Sequence, residues 1–274
     1  TIDQIDTNIC IGDSLVLEVC PTGNSCMPLP ANLQNGLVAH YPFCGDANDE
    51  SGNENDGTVN GATLTTDRFC NENSAYYFDG IDDYITGTTT GWPYGTTNRT
   101  ITYWWKTNDT SPGYHRTFSY GTPIHQNWQN LVPQGGSQKK LLYGAWTDDY
   151  NPNVNWEYDE WNLISGTFNG STKKVEIYFN GNYIGSQTHS SWNTVNNNAF
   201  IFGSLDTSNW QPYEGLLDDI MVYDRVLDIT EIQQLYELGN YDITWSTGDT
   251  TSSITVQPTT TTTYSVTVDD GISS

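Results

Sequence analysis

The chain has 274 residues, enough for one large all-β domain or for a sandwich with a smaller module attached. Nine Lys and Arg against 33 Asp and Glu leave a formal net charge of −24, which repels nucleic acid and anionic membrane and leaves neutral molecules or cations as partners. Hydrophobic residues make up only 35%, but ten Trp and eighteen Tyr bring enough buried area for a sizeable core. No apolar run approaches the roughly 18 residues of a membrane span.

The opening TIDQIDTNIC has neither a basic n-region nor an apolar h-region, so the chain is expected to be a piece of a longer protein. Thr7 to Val19 alternates like a strand. Cys20 and Cys26 then bracket PTGNS and can close a small loop. Gly36 to Phe43, Ala75 to Phe78, Thr100 to Lys106, Trp161 to Phe168, Lys174 to Phe179 and Ala199 to Phe202 are rich in aromatic and β-branched residues and predict strands. Trp104 and Trp105 must face opposite sides of theirs. The Asn180-Gly181 pair reads as a hairpin turn.

Toward the end, Leu217, Ile220 and Val222 recur among acidic residues as a strand carrying Asp218 and Asp219. A short helix follows, with Asp228 as N-cap, Glu231 three residues on, Ile229, Ile232, Leu235 and Tyr236 at helical spacing, and Gly239 where a left-handed C-cap is wanted. Tyr241 to Val268 predicts three short strands separated by STGD and QPTT turns. Many short strands with one terminal helix give an all-β, two-sheet jelly roll.

Between Asp46 and Gly57 the residues Asp46, Asn48, Asp49, Asn53, Asn55 and Asp56 crowd one Gly-punctuated loop. Hard oxygen ligands of that kind suit calcium, and like charges so close together otherwise repel; the alternative is a solvated acidic turn. Asp79, Asp82 and Asp83 in FDGIDDYI could hold a second ion, but a plain turn with Asp79 bonded to its own loop is the favoured reading. His40, His115, His125 and His189 lie far apart, without a nucleophile motif.

The ordered run NGLVAHYPFCGDANDESGNENDGTVNGATLTTDRF, SAYYFDGIDDYI, TITYWWKT, WNLISGTFNGSTKKVEIYFNGNYIGS and GLLDDIMVYDRVLDITEIQQLY resembles the laminin G-like, concanavalin A-like lectin/glucanase domains. The resemblance covers residues 30–240 and implies their two-sheet jelly roll. It implies that the acidic loop folds back beside the Asp218-Asp219 strand, giving calcium ligands from Asp46, Asn48, Asp49, Asn55, Gly57 and Asp218 or Asp219. It also implies a Cys44–Cys70 disulfide, since relatives commonly have Asn and Gly there. The flanks, residues 1–29 and 241–274, placed end to end resemble one immunoglobulin-like repeat of Bacteroidota surface proteins: Cys10, Gly12, Asp13 and Ser14, then Trp245 to Gly248, then Tyr264, Val266 and Val268. The jelly roll would then be inserted in a small split β module; two unrelated linkers are the alternative. Cys10 is left to a partner beyond the chain or to a free thiol. Oxidised cysteines point to a secreted or cell-surface protein.

This sandwich also carries glycoside hydrolases, whose paired carboxylates stand on one strand. The near match, Glu157, Asp159 and Glu160 in WEYDEWN, lacks the final Glu, so no catalysis is expected. Binding remains, through aromatic faces stacked on sugars. Over half of the ten Trp should be core. Trp128, Trp146, Trp156 and Trp210, with Tyr150 and Tyr213, sit among Asn, Asp and Pro and are the candidates for a polysaccharide or glycan. The two function classes are thus a calcium-stiffened carbohydrate-binding module and an adhesive or spacer module contacting protein partners on a cell surface.

Overall fold

The computed structural model describes residues 14–18, 26, 28–122, 128–134, 140–144, 150–152, 154–189, 192–208, 211–238, 242–251 and 253–269, with backbone alone at 18, 128–134, 140, 242 and 269. Cys10, Cys20, Trp146, Trp210 and Gly239 lie outside the described residues, as does the Trp128 side chain.

In chain order the elements are β1 (Leu15–Glu18), α1 (Ala31–Gln34), β2 (Leu37–Tyr41), β3 (Thr58–Asn60), β4 (Thr63–Thr65), β5 (Ala75–Asp79), β6 (Tyr84–Gly87) and β7 (Arg99–Lys106). There follow β8 (Phe118–Gly121), β9 (Trp128–Gln134), β10 (Lys140–Gly144), β11 (Asn162–Asn169), β12 (Lys174–Phe179), β13 (Asn182–Thr188) and β14 (Phe200–Phe202). The chain closes with β15 (Glu214–Tyr223), α2 (Ile229–Glu237), β16 (Asp242–Trp245), β17 (Ser253–Val256) and β18 (Val266–Asp269).

Two antiparallel sheets face each other as the jelly roll requires. The smaller runs β10-β9-β8-β14-β6-β3; the larger runs β13-β12-β11-β7-β15-β5-β4, with β2 also paired to β15. Their inner faces share one core, in which Tyr41, Phe78, Trp105, Phe118, Ile164, Phe200 and Leu217 are buried. Period-2 alternation sends Trp105 inward and Trp104 outward, where Trp104 stacks on Tyr236 of α2 at 5.6 Å. Six of the ten tryptophans, Trp92, Trp104, Trp105, Trp156, Trp192 and Trp245, are buried, as their composition requires.

The local signals hold at the helix and the hairpin. Asp228 accepts from the Glu231 amide at 2.9 Å, and Glu231 accepts in return from the Asp228 amide at 3.0 Å, closing a capping box that starts α2. Ile232 and Leu235 then seal α2 onto the outer face of the larger sheet beside Trp104, Leu163 and Met221. Asn180 and Gly181 take φ of 47° and 74°, the positive values a two-residue turn needs to match strand twist.

At the chain's extremes, β1 pairs antiparallel with β17 and β16 with β18. Trp245, Ile254 and Val256 form their core with Leu15, Leu17, Ile243 and Tyr264 packed around it. Residues more than two hundred positions apart thus build one small β unit.

Candidate functional site

The centre of the larger sheet is β15, whose ladder partner changes along its length. Glu214 to Leu217 pair with β5 and Ile220 to Tyr223 pair with β2, while β7 runs along the other side with a register shift between Asp218 and Met221. Asp219 sits in that irregularity with φ 46°. A bulge lets two consecutive residues share a face that strict alternation would divide, and both carboxylates meet Arg68. Its Nη1 donates to Asp218 Oδ2 and its Nη2 to Asp219 Oδ2. The guanidinium lies over the rings of Phe69 at 4.2 Å and Trp104 at 4.7 Å, and only 6% of the Arg68 side chain is exposed. His40 Nε2 stands 3.4 Å from the other oxygen of Asp219.

The two acids titrate in opposite directions. Burial, then the Asp219 charge, raise Asp218 well above the usual carboxylate range, and its buried Oδ1 has no hydrogen-bond partner among the described residues. Burial works on Asp219 too, but Arg68 and then His40 outweigh it and lower its pKa. Arg68 thus holds both acids, and Asp218 binds its proton more tightly than Asp219 does.

The acidic loop is held by its own amides. Asp49 Oδ1 accepts from the amides of His40 at 2.9 Å and Ser51 at 3.0 Å, and its Oδ2 from that of Asn55 at 3.1 Å. Asp56 accepts from the Asp49 amide, Asp46 binds the Asn48 amide and side chain, and Asn55 is fully buried between Thr88 and Thr90. Of the oxygens expected to ligate calcium, those of Asp46, Asp49 and Asn55 accept from protein donors, and at Asp218 and Asp219 the cation is Arg68. Gly57 contributes a backbone contact only, its amide donating to the Ala47 carbonyl at 2.8 Å. Among the described residues, no three of Asp46, Asp49, Asp218 and Asp219 bring carboxylate oxygens within 4.8 Å of one another. Among the described residues, the acidic group whose ligand atoms lie within 4.8 Å of one another is Asp79, Asp82 and Asp83. There Asp79 accepts from the amides of Ile81 and Asp82, the plain turn expected.

Cysteine pairing differs from expectation. Cys26 is joined to Cys44, with Cα atoms 5.8 Å apart, so the Cys20–Cys26 and Cys44–Cys70 pairs are both replaced, since a sulfur makes one disulfide bond. Cys70 is also disulfide-bonded, two residues after Arg68.

Two of the aromatic candidates are core. Trp156 is 2% exposed, edge-on to Trp105 and Tyr158 at 5.0 Å each, and Tyr213 is fully buried with its hydroxyl donating to the Lys106 carbonyl at 2.7 Å. Neither can stack on a sugar. Tyr150 is half-buried, exchanging backbone hydrogen bonds with Tyr143. Glu157, Asp159 and Glu160 are exposed in the turn before β11, where Asp159 meets Lys106 at 3.1 Å. Sequence reasoning missed Arg68, whose only advance signal is its rarity as one of nine cations.

The model of the concanavalin A-like lectin/glucanases superfamily matches residues 79–233, more than half of the chain. The chain belongs to this superfamily. Comparison with curated protein sequences found no match. Among solved structures, this concanavalin A-like chain is similar to domain 4 of AbnA, a GH43 extracellular arabinanase from Geobacillus stearothermophilus, in complex with arabinotriose. The TM-score is 0.59 at 22% identity, covering 73% of this chain and 98% of that domain. The binding domain of Paraclostridial Mosquitocidal Protein 1 gives a TM-score of 0.61 at 18% identity, covering 77% of this chain and 54% of that one. A structure of botulinum neurotoxin type C, whose cell entry depends on two ganglioside molecules, gives 0.60 at 15%, covering 78% and 54%. This chain spans little more than half the length of those two toxin structures. At such identities the likeness is one of fold.

Proposed function

We propose that the chain is a non-catalytic carbohydrate-binding module of a secreted or cell-surface protein. The observation that carries this reading is coverage of 98% of a domain whose structure contains arabinotriose. Two further features support it. The carboxylates Glu157, Asp159 and Glu160 stand exposed in a turn rather than paired on a strand across a sugar. The Cys26–Cys44 disulfide suits an oxidising compartment, and no helix among the described residues is long and apolar enough to cross a membrane.

The β1–β17 pairing and its shared core support reading residues 1–29 and 241–274 as one split module of immunoglobulin-like type. The stiffness that calcium would lend between the first and last strands of the jelly roll is assigned here to Arg68. A glycan array carrying neutral and sulfated polysaccharides, run in calcium and again in EDTA, tests the reading. Binding of the same neutral glycans in both buffers is expected. Silence across the array, with the protein folded by circular dichroism, would point instead to a spacer or adhesive module.

A further inference from the structure

We infer that an uncharged oligosaccharide binds on the outer face of the larger sheet, at the corner where Tyr77, Leu216 and Lys106 stand side by side. The inference rests on the carbohydrate-binding reading and says where that binding occurs.

Most of this face is closed. Helix α2 covers Leu163, Met221 and Tyr223, and the β4–β5 connection lays the Arg68 guanidinium over Trp104. One row beyond that cover remains open. The ladders place Thr63 opposite Tyr77, Tyr77 opposite Leu216, and Leu216 opposite Lys106, one residue from each of β4, β5, β15 and β7. Their neighbours Tyr76, Phe78, Leu217 and Trp105 are all in the inner core, so alternation turns this row outward. With strands about 4.8 Å apart the row is about 14 Å long, a platform for a short oligosaccharide rather than for one ring.

The chemistry of the row suits a neutral sugar. Tyr77 is 37% exposed, and Leu216 beside it is half-buried, giving an aromatic and an aliphatic surface for the apolar C–H face of a pyranose or furanose. Glu214 lies two residues from Leu216 along β15, opposite Asp79. The Tyr77 hydroxyl and the Glu214 carboxylate have no hydrogen-bond partner among the described residues, which leaves one donor and one acceptor for sugar hydroxyls. Burial, and then Glu214, Asp79 and Asp83, raise the Tyr77 pKa, so its hydroxyl stays a neutral donor. Those same carboxylates repel a uronate or a sulfate, and the cation of the row, Lys106, is already shared with Asp159.

Among the described residues, the other exposed aromatics lack this combination. Tyr183 is 51% exposed, but the carboxylate beside it, Glu176, is bound by Lys174 at 2.6 Å and by the Tyr178 hydroxyl at 3.3 Å. At Tyr114, the Arg116 guanidinium lies 5.1 Å from the ring centroid.

Affinity electrophoresis of the full chain in gels containing arabinan, xylan, galactan or polygalacturonate tests the inference with Tyr77→Ala, Tyr77→Phe, Glu214→Gln and, as control, Tyr183→Ala. At least one neutral polysaccharide should retard the wild type. Tyr77→Ala should weaken that retardation about tenfold, with Tyr77→Phe and Glu214→Gln in between, while Tyr183→Ala leaves it unchanged. All three positions are on the surface, so melting temperatures should stay near wild type and report folding independently. Full retention by Tyr77→Ala would move the site elsewhere and leave the carbohydrate-binding reading standing. Failure of the wild type to bind any of the four overturns both, and preferential binding to polygalacturonate overturns the uncharged ligand.

Discussion

Replacing Arg68 by Met preserves most of the side-chain volume and removes the cation between Asp218 and Asp219. The pair is buried, with side-chain exposures of 6% for Arg68, 0% for Asp218 and 8% for Asp219, so solvent screens little of the loss. Breaking a buried ion pair by deleting one partner costs about 3–5 kcal/mol, because the remaining charge is left in low dielectric. The cation–ring contacts with Phe69 and Trp104 add about 0.5–2 kcal/mol, part of which a methionine thioether recovers on the same rings. A net loss of about 3–5 kcal/mol is expected, against a total domain stability of about 5–15 kcal/mol. Urea unfolding followed by tryptophan fluorescence reads it as a shift in midpoint at constant slope. Should Arg68→Met prove too unstable to purify, Arg68→Lys keeps the charge but cannot hold both carboxylates in one planar fork, and a loss of about 1–3 kcal/mol is expected. Combining Arg68→Met with Asp219→Asn should restore part of the stability, the coupling expected of partners. A loss under about 1 kcal/mol in Arg68→Met, or strict additivity in the double variant, would refute the role given to the guanidinium.

The pH dependence follows from the two acids. Asp218, raised by burial and by Asp219, keeps its proton in the folded state above about pH 4 where the unfolded chain releases it, so it makes stability fall as pH rises from that point. Asp219, lowered chiefly by Arg68 against its burial, contributes stability that is present above the usual carboxylate range and lost as pH falls through its folded value. Asp218→Asn should therefore flatten the decline at higher pH and leave the acid limb in place; urea midpoints across pH that still decline in this variant would contradict the assignment. Cys26→Ser with Cys44→Ser opens a crosslink between residues 18 apart and should cost about 3 kcal/mol, with non-reducing peptide mapping of the wild type recovering the Cys26–Cys44 peptide. Because Arg68 holds Asp218 and Asp219 and backbone amides hold Asp46 and Asp49, EDTA should leave the melting curve unchanged; a drop of several degrees reversed by calcium would restore a structural ion.

Much of the fold was legible because local and global preferences agree. The capping box at Asp228 and Glu231, the Asn180-Gly181 turn and the opposed Trp104 and Trp105 all follow from short-range rules that the packed sandwich does not override. The site was less legible, for identifiable reasons. Alternation places Asp218 and Asp219 on opposite faces, and only the change of ladder partner along β15 brings them to one cation. Arg68 comes from a loop 150 residues away from Asp218 in the chain, a separation no spacing rule reaches. Trp156 and Tyr213 have the polar neighbours of a binding loop, yet the fold turns their rings into the core. Disulfide connectivity does not follow from cysteine spacing, and Cys44 pairs backward along the chain rather than across the acidic loop.

The most direct test of the central claim is a single depletion measurement. The intact chain is incubated with insoluble arabinan or xylan, the unbound protein is quantified, and the same supernatant is assayed for reducing ends. A non-catalytic binding module should leave the supernatant depleted of protein and free of new reducing ends. Protein remaining in solution over every neutral polysaccharide, or reducing ends accumulating with time, would contradict the account.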